Sequence, residues 1–95
     1  MVNELPFEET LLSYGQTDTF LRKYSSDFEG EEFKWHWDEE DRTIHAIDET
    51  DWMFQFDNQL PIQIQGKIDI KKGVWHRIIK GTGDLTLIVE KHKDI

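Results

Sequence analysis

Apolar and polar residues alternate in short bursts along this chain, and clusters of turn formers separate the bursts. Arg42-Thr43-Ile44-His45-Ala46-Ile47, Ile62-Gln63-Ile64 and Ile68-Asp69-Ile70 carry the period of two expected of a half-buried strand. Leu85-Thr86-Leu87-Ile88-Val89 reads as the final strand. Asp57-Asn58-Gln59-Leu60-Pro61, Gln65-Gly66-Lys67 and Gly81-Thr82-Gly83 turn the chain between strands. No stretch repeats apolar residues with the spacing of a long amphipathic helix. Many short strands with turns between them predict an all-β barrel or sandwich.

The same reading divides the chain into parts. Residues 1–19 hold polar turn formers with weak periodicity and read as an irregular arm with one short strand. A core of about residues 20–90 opens with a strand at Phe20-Leu21-Arg22-Lys23-Tyr24 and a second at Phe33-Lys34-Trp35-His36-Trp37. Trp52-Met53-Phe54-Gln55-Phe56 is rich in strand-favouring aromatics. Residues 91–95 read as a frayed tail.

At 95 residues the chain is expected to form a single domain, near the lower end of what builds an independent core. Only 37% of residues are hydrophobic while 13% are aromatic, so the core leans on Trp, Phe and Tyr. With no cysteine, disulfides and thiolate metal sites are excluded. Apolar runs are too short to span a membrane as helices, and the N-terminal residues lack signal-peptide character, so a cytoplasmic protein is expected. Residues 1–65 hold 16 acids against 4 Lys/Arg, a net −12, whereas residues 66–95 hold 4 acids against 7 Lys/Arg, a net +3. A chain of net charge −9 repels phosphate backbones, which argues against nucleic acid as a partner.

Two short segments carry the candidate chemistry. His36-Trp37-Asp38 places an imidazole and a carboxylate on one face of a strand. Lys71-Lys72-Gly73-Val74-Trp75-His76-Arg77 reads as a tight turn feeding a second histidine onto a new strand. His36, Asp38 and His76 together form the 2-His-1-carboxylate set that suits a divalent transition metal. Iron, manganese, nickel and zinc are the candidates. The alternative is two polar histidines lining a pocket, with Asp38 one acid among the charged run Asp38-Glu39-Glu40-Asp41. Gln55 is a candidate ligand-orienting amide, the alternative being an outward polar residue on an alternating strand. His45 is expected on the outer surface, and His92 has no role in this reading. Trp35 and Trp37 flank His36 and share the opposite face, where an exposed aromatic pair would suggest a homodimer.

These motifs resemble those of the cupins, jelly-roll β-barrels whose mouth holds a metal in many members. His36 falls at the first histidine of the cupin His-x-His pair, and Asp38 stands where the second would be. Gly66 and the run Lys71 to His76 follow the second motif, with Lys71 in place of its proline. The resemblance runs from about Phe33 to Val89. It implies a single-domain cupin-type jelly-roll barrel with a metal at the triad. Arg42 or Thr43 occupies the place of the acid expected in the first motif, so an inward Arg42 would either pair with Asp38 or anchor an anionic substrate. The function implied is that of a small-molecule metalloenzyme of oxygenase or isomerase type acting on an anionic ligand. The competing class is a binding or protein-interaction module without metal. A weaker likeness to the His-x-Asp…His of iron/2-oxoglutarate oxygenases lacks a well-placed anchor, since only Lys80, Lys91 and Lys93 follow Ile79.

Overall fold

Among the described residues eight strands account for the regular structure: β1 (Phe7–Ser13), β2 (Thr17–Ser25), β3 (Asp41–Ala46), β4 (Met53–Phe56), β5 (Ile62–Gln63), β6 (Lys67–Ile70), β7 (His76–Ile79) and β8 (Asp84–His92). The computed structural model describes residues 7–27 and 29–93. Among these there is no α-helix, only a single 3-10 turn at Glu31–Phe33. The strands form one sheet in the order β1-β2-β8-β3-β6 and a smaller one in the order β5-β4-β7. Every pairing is antiparallel.

Alternation decides what lies inside. Leu85, Leu87 and Val89 of β8, Ile68 and Ile70 of β6, Ile78 of β7 and Phe54 of β4 all point into the core. Aromatic rings fill much of the space left between them. Tyr24, Phe33 and Trp52 pack with centroids 5.9 to 6.2 Å apart, and Trp52 is fully buried with its indole N–H on the Thr82 carbonyl. The core leans less on aromatics than the composition suggested: eight of its eleven buried hydrophobics are Ile, Leu or Val, and only Trp52 of the four tryptophans is buried. Gly81 abuts this cluster: a Cβ there would sit 2.7 Å from the Trp52 backbone nitrogen.

Four further expectations are corrected. The arm does hold a strand, β1, but in its described part it is more regular than expected, because β1 pairs with β2 from Phe7↔Tyr24 to Ser13↔Thr19 and β2 already begins at Thr17. Its periodicity is weak because β1 is an edge strand, exposed along nearly its whole length. Residues 33–37 do not form a strand; the 3-10 turn leads to irregular backbone that touches β7 through one bridge, His36↔His76. The tail is not frayed where it is described. Lys91 and His92 belong to β8, and the Lys93 N–H donates to the Gln16 carbonyl at 2.8 Å. The last residues, 94–95, lie outside the described set.

His92 is the fourth correction. Its Nε2 lies 2.9 Å from Thr43 Oγ1, its Nδ1 lies 3.1 Å from Thr17 Oγ1, and Thr43 Oγ1 donates to Asp69 at 2.8 Å. The chain Thr17–His92–Thr43–Asp69 crosses four neighbouring strands, β2, β8, β3 and β6. It also explains why Thr43 is buried although it alternates with the inward Ile44.

Candidate metal centre

His76 opens β7, and the backbone before it determines where it lands. Gly73 adopts φ 78°, a left-handed conformation that glycine accepts without penalty. The turn it makes is closed by Val74 N–H to the Lys71 carbonyl at 3.2 Å. The Gly73 N–H donates to the Asp38 carbonyl at 3.0 Å, and the Lys72 N–H to Asp41 Oδ1 at 2.9 Å. The turn that delivers His76 therefore also pins the segment carrying Asp38. His36 is held by reciprocal backbone bonds with His76, at 3.0 and 2.8 Å.

The side chains converge. One ligand atom from each of His36, Asp38 and His76 lies within 4.8 Å of the others. His36 Nδ1 sits 2.8 Å from the Lys34 carbonyl, and His76 Nδ1 sits 2.8 Å from the Val74 carbonyl. A carbonyl only accepts, so each Nδ1 carries a proton and each Nε2 of a neutral ring keeps its lone pair. Such carbonyl contacts fix the tautomer and orientation that a metal-ligating histidine needs. His76 is further held by stacking on Phe54, with centroids 5.4 Å apart and an interplanar angle of 18°.

Asp38 completes the set. Its carboxylate is 9% exposed, and Oδ2 is buried without a hydrogen-bond partner, 3.2 Å from His76 Nε2. Two lone pairs this close need a cation between them, either a proton or a metal. Burial pushes the Asp38 carboxyl up, but His76 and the Arg42 charge outweigh it and hold the group below the usual carboxylate range.

Arg42 lies beside the triad. Its Nη2 is 3.5 Å from Asp38 Oδ1 and 3.0 Å from Glu40 Oε1, and its Nε is 3.2 Å from the same Glu40 oxygen. Of the two roles open to it, the internal ion pair is the one seen. The four-acid run is correspondingly divided: Asp38 turns inward, Glu40 pairs with Arg42, and Asp41 caps the Lys72 N–H. Gln55 is a correction. Its amide donates to the Gln59 carbonyl and accepts from Arg77 Nε, both at 2.9 Å, on the strand face opposite the buried Phe54. It therefore does not reach the triad.

The triad opens into a cavity of about 30 Å³, room for a water or two. Ile44, Ile70, Ile78, Leu87 and Val89 wall it, and Arg22, Tyr24 and Glu32 join the triad and Arg42 at its polar side. Sequence reasoning missed Arg22 and Tyr24 as site residues. The available signal was alternation: Arg22 shares the face of Phe20 and Tyr24, so an inward Tyr24 carries the guanidinium inward with it. Arg22 is 5% exposed and paired with Glu9.

No protein-family model matches the sequence, and no curated protein matches it. Solved structures do match the fold. A cupin domain from Bordetella pertussis is similar with a TM-score of 0.69 at 12% identity, covering 99% of this chain and 100% of that one. An RmlC-like cupin from Methanocaldococcus jannaschii with a double-stranded β-helix gives 0.65 at 9% identity, covering 98% and 86%. The cobalt(II) form of HppE, solved with Tris buffer, gives 0.67 at 12% identity, covering 96% of this chain and 56% of that one. Together with the two facing antiparallel sheets, these likenesses show that the chain has the cupin fold, a jelly-roll double-stranded β-helix.

Proposed function

We propose that this protein binds one divalent transition metal through His36, Asp38 and His76 and acts there on a small anionic molecule. The observation that carries the reading is the buried, unpartnered Asp38 Oδ2 facing the His76 Nε2 lone pair, with His36 fixed in the same tautomer nearby. Two imidazoles and one carboxylate are a set preferred by non-haem iron(II), and manganese, nickel and zinc take similar donors. A metal held there supplies Lewis acidity toward a carbonyl or carboxylate oxygen. The aliphatic wall limits water at the site, and Arg42 supplies positive charge for the anion. Its Nη1 has no hydrogen bond among the described residues and is the donor left for a ligand.

The competing reading is a ligand-binding module without metal. The Arg42–Asp38 ion pair favours it, because a guanidinium beside Asp38 partly neutralises the carboxylate that a metal would need. Metal content separates the two. Purified protein supplemented with iron, manganese, nickel or zinc is expected to retain close to one metal per chain, lost in both His36→Ala and His76→Ala. A folded parent that stays metal-free under every supplement overturns the metal reading and leaves the binding module.

A further inference from the structure

Tyr24 is buried to 1% exposure and lines the same cavity as the triad. Its hydroxyl oxygen receives a hydrogen bond from Arg22 Nη1 at 3.2 Å. A guanidinium only donates, so this contact uses an acceptor site of the phenol and leaves its proton free. Among the described residues that proton has no acceptor. Glu32 lines the cavity without bonding it. Buried hydroxyl donors are ordinarily paired, so an unused one is available to a water or a ligand. Arg22 in turn is fixed from three sides: Glu9 takes its Nε at 2.6 Å, Glu9 Oε2 also lies 2.5 Å from Nη2, and the Phe7 ring lies 3.9 Å from its central carbon. The phenol is thus clamped on its acceptor side and open on its donor side. Its cavity already holds a second guanidinium, Arg42, and the candidate metal ligands.

We propose that Tyr24 is the hydrogen-bond donor that seats a small carboxylate ligand beside the metal, with Arg22 and Glu9 as residues that position the phenol. This rests on the metal reading above and adds the chemistry of the ligand. A donor proton and a guanidinium converging on a small cavity match a carboxylate head group, an acceptor-only anion. The cavity of about 30 Å³ excludes a bulky ligand, so only a small head group, entering in place of its water, fits the proposal.

The test uses cobalt(II) and acetate on the full chain. Parent and Tyr24→Phe are loaded with cobalt, and acetate is titrated while the visible cobalt bands are followed. Tyr24→Phe keeps the ring packing but loses the Arg22 contact, so equal cobalt stoichiometry is expected with a lower thermal midpoint. Its acetate affinity is expected to fall roughly tenfold, the effect of one hydrogen bond to a charged group. Arg22→Met, which frees the phenol, is expected to weaken acetate in the same direction with cobalt retained. Cobalt uptake with no acetate response, or with the same affinity in parent and Tyr24→Phe, overturns this inference alone. No cobalt uptake by the parent overturns the metal reading and this inference with it.

Discussion

Burial is the largest influence on the Tyr24 phenol: it disfavours the phenolate, and it outweighs the Arg22 charge to push the group up to about 12. The native chain then holds its proton over a window, from about 10 to about 12, in which an unfolded phenol has lost it. There the unfolded state binds fewer protons, so stability falls as pH rises. The contribution is fully present below the unfolded value and is lost by the folded one. Urea unfolding of the parent and Tyr24→Phe is expected to show an alkaline loss of stability that is steeper in the parent. Parallel profiles would show that the phenol is not desolvated as described. At this scale the sequence was readable where chemistry depends on residue type and short spacing. His36, Asp38 and His76 do come together, but through the Gly73 turn and the His36–His76 bridge that hold irregular backbone in place, not through the strand alternation the spacing suggested. Arg22 was legible only in its facing, which follows from alternation with Tyr24; its pairing depends on Glu9 from a neighbouring strand. Gln55 went the other way, because partners distant in sequence decide which face of β4 is wet.

Strands are held together across the large sheet by more than their ladders. The side chains of Thr17, His92, Thr43 and Asp69 form one hydrogen-bonded chain over β2, β8, β3 and β6. Thr43 is its hinge, bonding on both sides while 8% exposed. Thr43→Val keeps the shape and removes both bonds, and the expected loss is on the order of 1 kcal/mol. For a chain of this size that lowers the melting temperature by roughly 4–8 °C. A variant that melts with the parent would show that water replaces the crossbar without loss. The strands themselves were legible from alternation wherever one face is buried, as in β3, β6 and β8. Legibility failed at β1, whose edge position leaves no apolar rhythm, and at residues 33–37, whose Phe-Trp-Trp spacing imitates a strand. There Phe33 belongs to the core while Trp35 and Trp37 stay largely exposed.

Those two tryptophans bear on how whole molecules meet. The antiparallel bridge His36↔His76 sets Trp37 beside Trp75 and Trp35 beside Arg77, whose guanidinium lies 4.7 Å from the Trp35 ring. Trp35, Trp37 and Trp75 are 40%, 49% and 47% exposed, and Trp35 and Trp75 share a cleft with Asp57. Three large rings on one outer face exceed the scattered apolar exposure normal for a monomer. We propose that this face packs against its symmetry mate in a homodimer, the commonest closed assembly. The free edge of β1 offers a rival, with Leu11, Leu12 and Tyr14 exposed, but Glu8 and Glu9 on that strand guard against edge pairing. Sedimentation equilibrium separates the two faces. The parent is expected to be dimeric, Trp37→Ser with Trp75→Ser monomeric, and Leu11→Lys still dimeric. Since the tryptophans turn away from the cavity, the double variant should load metal like the parent. A monomeric parent removes the homodimer, and a dimer broken only by Leu11→Lys moves the interface to β1.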